Sequence, residues 1–136
     1  ILSNRAELLI KKVEINQRKD YYYINSKDNN FPKNIEIKEG DFIKYDKKSL
    51  YLDKDQLKFP LKIRKWNKGD YIYPTAMNGK KLVSKIFKDK KLSVYEKTAQ
   101  WILEDSEHIL WVIGIRFDKR KYMKANPNFK ISVIEN

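Results

Sequence analysis

The sequence predicts an α+β domain in which short strands lead and two short helices are inserted in the second half. From Tyr21 to Trp66 the chain is a series of β-rich runs separated by Asn, Asp, Gly, Pro or Ser. Helical spacing is clear only after residue 81, in two short stretches. The 136 residues, 41% hydrophobic and 13% aromatic, can fill one core or two very small ones, which excludes a disordered basic tail.

Taken in order, Leu2 to Ile10 has an apolar face at Leu2, Ala6, Leu8, Leu9 and Ile10, a short helix or a lead-in to the alternation at Val13 and Ile15. Strands are expected at Tyr21 to Ile24, Ile35 to Ile37, Phe42 to Tyr45, Ser49 to Leu52 and Leu61 to Trp66, with a loop at Asp28-Asn29-Asn30-Phe31-Pro32. Leu82 to Lys88 reads as an amphipathic helix. Its core side holds Val83, Ile86 and Phe87, and its other side Lys81, Lys85 and Lys88. Ser93-Val94-Tyr95-Glu96 matches a capping box, in which the serine accepts the N3 amide and the glutamate reaches back, so a second helix should run from Val94 to about Gln100. Trp101 to Leu103 and Ile109 to Ile113 form a hairpin about Glu104-Asp105-Ser106-Glu107, and Phe129 to Ile134 is a final strand.

The net charge of +12 is unevenly placed. Lys62 to Lys91 holds ten basic and two acidic residues, a net of +8, whereas residues 1–61 carry +3 and residues 92–136 carry +1. One electropositive face is therefore expected, suited to nucleic acid or another polyanion. Twenty-five lysines against five arginines fit an AT-rich coding bias, but such a bias does not explain the clustering.

Several chemistries are excluded or weakly signalled. With no cysteine there is no disulfide, thiolate nucleophile or Cys-ligated metal. The only histidine, His108, has no visible partners for a metal and reads as structural. Gly40, Gly69, Gly79 and Gly114 fit no phosphate-binding glycine loop, so no ATP site is legible. Asp70, Asp89 and Asp118 read as caps or ion-pair partners rather than as a metal or catalytic pair. No apolar run is long enough to span a bilayer, and the start has no signal-peptide pattern, so a cytoplasmic protein without membrane contact is expected. The lack of an initiator methionine points to a piece of a longer polypeptide.

Read in order, the blocks Arg64-Lys65-Trp66-Asn67-Lys68-Gly69-Asp70-Tyr71-Ile72-Tyr73-Pro74, Met77-Asn78-Gly79-Lys80-Lys81, Ser84-Lys85-Ile86-Phe87-Lys88-Asp89-Lys90-Lys91 and Trp111-Val112-Ile113-Gly114-Ile115-Arg116-Phe117-Asp118-Lys119-Arg120 carry a resemblance. They are similar to the C-terminal part of bacterial tRNA(Ile)-lysidine synthetase, closely over residues 58 to 122 and more loosely before. Ala76 stands where that family commonly has glycine, and Leu82 where a basic or another hydrophobic residue is expected. The family's N-terminal Ser-Gly-Gly-x-Asp-Ser motif is absent.

The resemblance implies a connecting, strand-rich region at 1–57 and a C-terminal tRNA-docking domain at 58–136, with a fold resembling a domain of the phenylalanyl-tRNA synthetase β chain. It implies an ATP-dependent ligase that joins lysine to the wobble cytidine of tRNA(Ile) with a CAU anticodon. ATP, Mg and lysine would bind a catalytic domain elsewhere in the polypeptide, with no catalytic residue, cofactor or metal here. This part would hold the acceptor-stem side of the tRNA. An RNA stem is gripped mainly through phosphates and 2′-hydroxyls. Arg64, Lys65, Lys80, Lys81, Lys85, Lys88, Lys91, Arg116 and Arg120 are accordingly the candidate tRNA contacts. Trp66 and Tyr73 are either stacking platforms for an unpaired end nucleotide or core aromatics. Gly69, Asp70, Pro74, Gly79, Phe87, Trp111 and Gly114 read as turn and core residues that place the basic face. The alternatives are a generic basic nucleic-acid module, and a homodimerisation or interaction domain built on the first half with its Tyr21-Tyr22-Tyr23 run.

Overall fold

The computed structural model describes residues 21–24, 35–123 and 125–133; the expectations for Leu2 to Ile15, for the loop at Asp28 to Pro32 and for Ile134 lie outside them. Among the described residues ten strands and two α-helices follow in order: β1 (Tyr21–Ile24), β2 (Ile35–Glu39), β3 (Ser49–Leu52), β4 (Leu61–Lys65), β5 (Tyr71–Ile72), β6 (Lys81–Leu82), α1 (Val83–Asp89), α2 (Val94–Thr98), β7 (Trp101–Glu104), β8 (Ile109–Val112), β9 (Arg116–Phe117) and β10 (Phe129–Val133). A 3₁₀ turn, Lys54–Gln56, follows β3. The strand-rich α+β class read from the sequence is the one observed.

The strands form an antiparallel five-stranded sheet in the order β9-β8-β7-β4-β1, a three-stranded sheet β2-β10-β3, and a ribbon β5-β6. Alternation explains the central pair. Leu61 and Ile63 of β4 are fully buried while the alternating Lys62 and Arg64 turn the other way, and Ile63 lies opposite Leu103 of β7. One apolar cluster joins Ile24, Ile35, Leu50 and Leu52 to Leu61, Ile63, Leu103, Trp111, Phe129 and Ile131. The division at residue 57 therefore runs through a core rather than beside it. A second cluster packs Val83, Ile86 and Phe87 of α1 on Ile72, Ile102, Ile109 and Val112.

Phe42 to Tyr45, expected as a strand, is irregular. Its aromatic rings serve another purpose: Phe42 and Tyr45, three residues apart, both pack on the buried Tyr51, at 6.0 and 4.8 Å between centroids. An extended strand would send 42 and 45 to opposite faces. Ile43 between them is 93% exposed. The small strands β5, β6 and β9 were missed because two-residue strands carry too little periodicity to read.

The turn of the β7–β8 hairpin is built on Asp105, whose carboxylate accepts hydrogen bonds from the amides of Glu107 (2.8 Å), His108 (2.8 Å) and Lys58 (3.1 Å) and pairs with Lys121. Burial alone would raise this carboxyl, but Lys121 and the three amides together hold it below the ordinary aspartate value. A lowered folded value stabilises the fold fully above the ordinary value of 3.8, and that stabilisation is lost as pH falls through the lower folded value.

Two outcomes follow. Leu103→Ala, at a position with no exposure, should lower unfolding free energy by about 2 to 5 kcal/mol, whereas Ile43→Ser should change it by no more than about 0.5 kcal/mol, both read from urea titrations. In acid titrations of stability, Asp105→Asn should flatten the fall below about pH 4 relative to the unaltered chain.

Candidate nucleic-acid interface

The basic stretch is shaped first by a tight turn. Gly69 adopts φ 96°, a left-handed conformation that side-chain-bearing residues avoid, and closes the turn with Asp70 N–H donating to Asn67 O at 3.0 Å. The Asp70 carboxylate then accepts from the Asn67 amide (2.6 Å) and from both terminal nitrogens of Arg64 (2.9 and 3.1 Å). Arg64 reaches on to Glu104 of β7 at 3.0 Å. Finally the Asp70 carbonyl receives the amide of Val83 at 2.9 Å, the first residue of α1. Leu82, the N-cap, gives no side-chain cap, so this backbone contact supplies a partner that the helix start otherwise lacks. A Gly-Asp turn thereby fixes where the basic helix begins.

The far end of α1 is fixed too. Lys91 takes φ 57° and passes the chain to Leu92, whose amide donates to Phe87 O at 3.1 Å while its side chain packs on the second cluster. The capping box on α2 forms as its sequence indicates: Glu96 N–H donates to Ser93 Oγ (3.1 Å) and Ser93 N–H to Glu96 Oε1 (2.9 Å). Trp66 Nε1–H donates to the Lys97 carbonyl at 2.9 Å, tying α2 to the end of β4.

Held this way, α1 buries Val83, Ile86 and Phe87 and presents Lys85 and Lys88 to solvent, followed by Lys90 and Lys91. None of these four lysines forms an ion pair with a described residue. Lys81 is half-buried and pairs with Asp89. Lys81, and then Lys85 and Lys88, lower the Asp89 carboxyl below its ordinary value, so the single acid of the helix is outnumbered by the cations around it. Lys80 is exposed, with its ammonium 4.6 Å from the Tyr71 ring centre. Arg116 lines a cleft of about 150 Å³ together with Lys81, Asp89 and Lys90. Lys80, Lys81, Lys85, Lys88, Lys91 and Arg116 are thus gathered on or beside the β6–α1 unit. Lys68, in the exposed Gly69 turn, and Lys90 likewise form no ion pair with a described residue; the sequence offered only charge for them, and exposure distinguishes them.

The remaining candidates are used inside the fold. Arg64 is held between Asp70 and Glu104; burial would lower its value, but the two carboxylates keep it raised and charged. Lys65 lies 3.9 Å over the Trp101 ring. Arg120 pairs with the buried Asp118 at 2.8 Å, contacts His108 Nδ1 at 2.9 Å and covers the Tyr73 ring at 4.5 Å. These three side chains already have partners within the fold. Trp66 is half-buried, and its ring packs on the second cluster, meeting Phe87 edge-on at 5.0 Å. Tyr73 is half-buried between Arg120 and Tyr71.

The closing block serves the neighbouring segment. Asp118 accepts from the Tyr73 amide (2.8 Å), Lys119 N–H donates to Tyr73 O (2.8 Å) and Thr75 N–H to Phe117 O (3.2 Å), so Pro74 is clamped opposite Asp118. Ala76, where a glycine was noted as common, has φ 61°, the left-handed region in which glycine is unstrained. Gly79 (φ 77°) and Gly114 (φ 82°) turn the chain into β6 and into Arg116. Phe87 and Trp111 are core residues as expected. Among the described residues no group of acidic or histidine side chains could hold a metal, and no helix is long and apolar enough to cross a membrane.

A family model described as the TilS substrate C-terminal domain matches residues 61–133. The tRNA(Ile)-lysidine synthase of Parabacteroides distasonis is 44% identical over 78 residues, 57% of this chain and 18% of that protein. That of Bacteroides thetaiotaomicron is 40% identical over 75 residues, 55% of this chain and 18% of that protein. A solved structure described as the TilS C-terminal domain superposes with a TM-score of 0.64 at 21% identity, covering 75% of this chain and 85% of that one, a likeness of fold. The matched part of this chain corresponds to about a fifth of the length of these curated relatives.

Arg64→Ala should destabilise the fold by about 2 to 4 kcal/mol, because Asp70 and Glu104 lose their shared counter-charge while largely shielded from water. Arg64→Lys should recover only part of this, since an ammonium cannot make the fork. Denaturant midpoints of the two variants measure both effects.

Proposed function

Since the chain belongs to the TilS substrate C-terminal domain family, we propose that it is the tRNA-docking part of a tRNA(Ile)-lysidine synthetase. It holds the acceptor-stem side of tRNA(Ile) with a CAU anticodon while a catalytic domain of the same polypeptide, using ATP with Mg and lysine, modifies the wobble cytidine. In this reading the chain acts in the cytoplasm and contributes no catalytic residue. The observation that supports it is the solvent face of α1, where Lys85 and Lys88, continued by Lys90 and Lys91, form no ion pair with a described residue, on a helix fixed at both ends.

Phosphate recognition requires this arrangement. A stem offers its backbone charges and 2′-hydroxyls to a protein, while its major-groove base edges are out of reach. Lysines on a rigid element meet those charges as point cations and release condensed counterions. A face already neutralised by Asp or Glu would gain little. Arg64 and Arg120, with their carboxylates, do not bind RNA in this reading; they place the elements that do.

The test is a salt series on the 136-residue chain with tRNA(Ile) bearing a CAU anticodon, an unrelated tRNA and a stem duplex. Affinity should fall linearly with the logarithm of salt. Lys85→Glu with Lys88→Glu should leave the fold intact and reduce that slope by about 2. Unchanged affinity in the folded double variant would remove α1 from the interface, and equal binding to all three RNAs would favour a generic basic module.

A further inference from the structure

Arg64 and Arg120 each have a carboxylate, whereas Arg116, the third described arginine, has none among the described residues. Its guanidinium is half-buried and donates one hydrogen bond, from one terminal nitrogen to Thr75 O at 2.7 Å. A cation drawn partly out of water with most of its N–H groups unused needs a counter-charge. Its position shows where one could sit. Arg116 and Ile115 are shared by two clefts. On one side is the cleft of about 150 Å³ with Lys81, Asp89 and Lys90, where three cations face one acid. On the other is a cleft of about 270 Å³ whose wall is Trp111, Phe117 and Val133, rimmed by Lys47 and Lys48.

We infer that these two neighbouring clefts, which share Ile115 and Arg116, bind a single unpaired nucleotide of the docked RNA, its phosphate on Arg116 and Lys90 and its sugar and base against the apolar wall beside Phe117. The inference rests on the reading of this chain as an RNA-docking domain. A planar guanidinium suits a phosphate because two parallel N–H groups can meet two oxygens. An anion alone would need only the smaller cleft, and an apolar ligand alone would not need Arg116. A nucleotide uses both. The turn that sets this up is Val112 to Arg116: Ile115 N–H donates to Val112 O at 2.9 Å and Gly114 takes φ 82°, so that Trp111 stays in the core while Arg116, five residues on, faces the clefts.

Two RNA hairpins with the same stem test this, one blunt and one with three unpaired 3′ nucleotides, each titrated against the 136-residue chain. The extension should raise affinity about tenfold, the scale of one charge-assisted contact. Arg116→Gln should abolish that increment, read as the ratio of the two hairpins' affinities so that any loss on the shared stem cancels; Arg116→Lys should keep part of it. Because Arg116 also holds Thr75, Lys90→Gln at an exposed position serves as a second variant and should reduce the same increment. An unaltered chain that binds both hairpins equally, or folded variants that keep the full increment, would overturn the inference while leaving stem docking intact. Failure to bind either hairpin would overturn the docking reading and this inference with it.

Discussion

The ion pair between Arg64 and Asp70 is the constraint on which the basic face depends. It is a bidentate contact, with Glu104 as a second acceptor, in a setting where all three side chains are mostly shielded from water. Shielding makes the pair sensitive to geometry: in a low-dielectric site a misplaced carboxylate loses both its partner and its hydration. The arginine is on β4, the aspartate ends the following turn, and the glutamate is on β7, so one guanidinium fixes two strands and a turn at once. The Asp70 carbonyl then passes that precision to α1 through Val83. The charge density of the basic face and the accuracy of its placement thus come from different residues.

The same separation divides the four sequence blocks by role. Two aspartates, Asp70 and Asp118, act as hubs that accept from arginines and from backbone amides, and each fixes a short connection that could not hold its shape on its own hydrogen bonds. Lysines on α1 need no such partners, because a flexible, solvated ammonium is stable where it is. Arginine appears where a fork is required and lysine where only charge is. Arg116 departs from that rule, since it keeps a fork without a carboxylate.

Most of the framework was legible because it rests on local chemistry. The capping box at Ser93, the core side of α1 and the β7–β8 hairpin are written in residues a few positions apart, and the structure keeps them. What could not be read depends on contacts between distant residues. Phe42 to Tyr45 looks like a strand because it is rich in β-formers, but Tyr51 draws its rings into a wrap. Lysines and arginines look alike in a charge count, and only the fold shows that Glu104, Asp70, Asp118 and Trp101 have already engaged Arg64, Arg120 and Lys65. The ordered motif blocks made the family recognisable, and several of their residues have partners within the fold.

The strand β10 lies at the centre of its sheet although it is the last element of the chain described, with Val133 opposite Ile35 and Phe129 opposite both Glu39 and Leu52. Its neighbours come from the other end of the sequence, 98 residues away at the extreme. During synthesis β2 and β3 emerge early and must remain without their shared partner until nearly the whole domain has left the ribosome. Pairings of this range carry a high loop-closure cost and slow folding relative to local ones. The five-stranded sheet, whose neighbours β7 and β8 are joined by a tight turn, can form around α1 before then. The domain is therefore expected to assemble the five-stranded sheet with α1 first and to close the three-stranded sheet last, which leaves β2 and β3 as the open edges a nascent chain must protect.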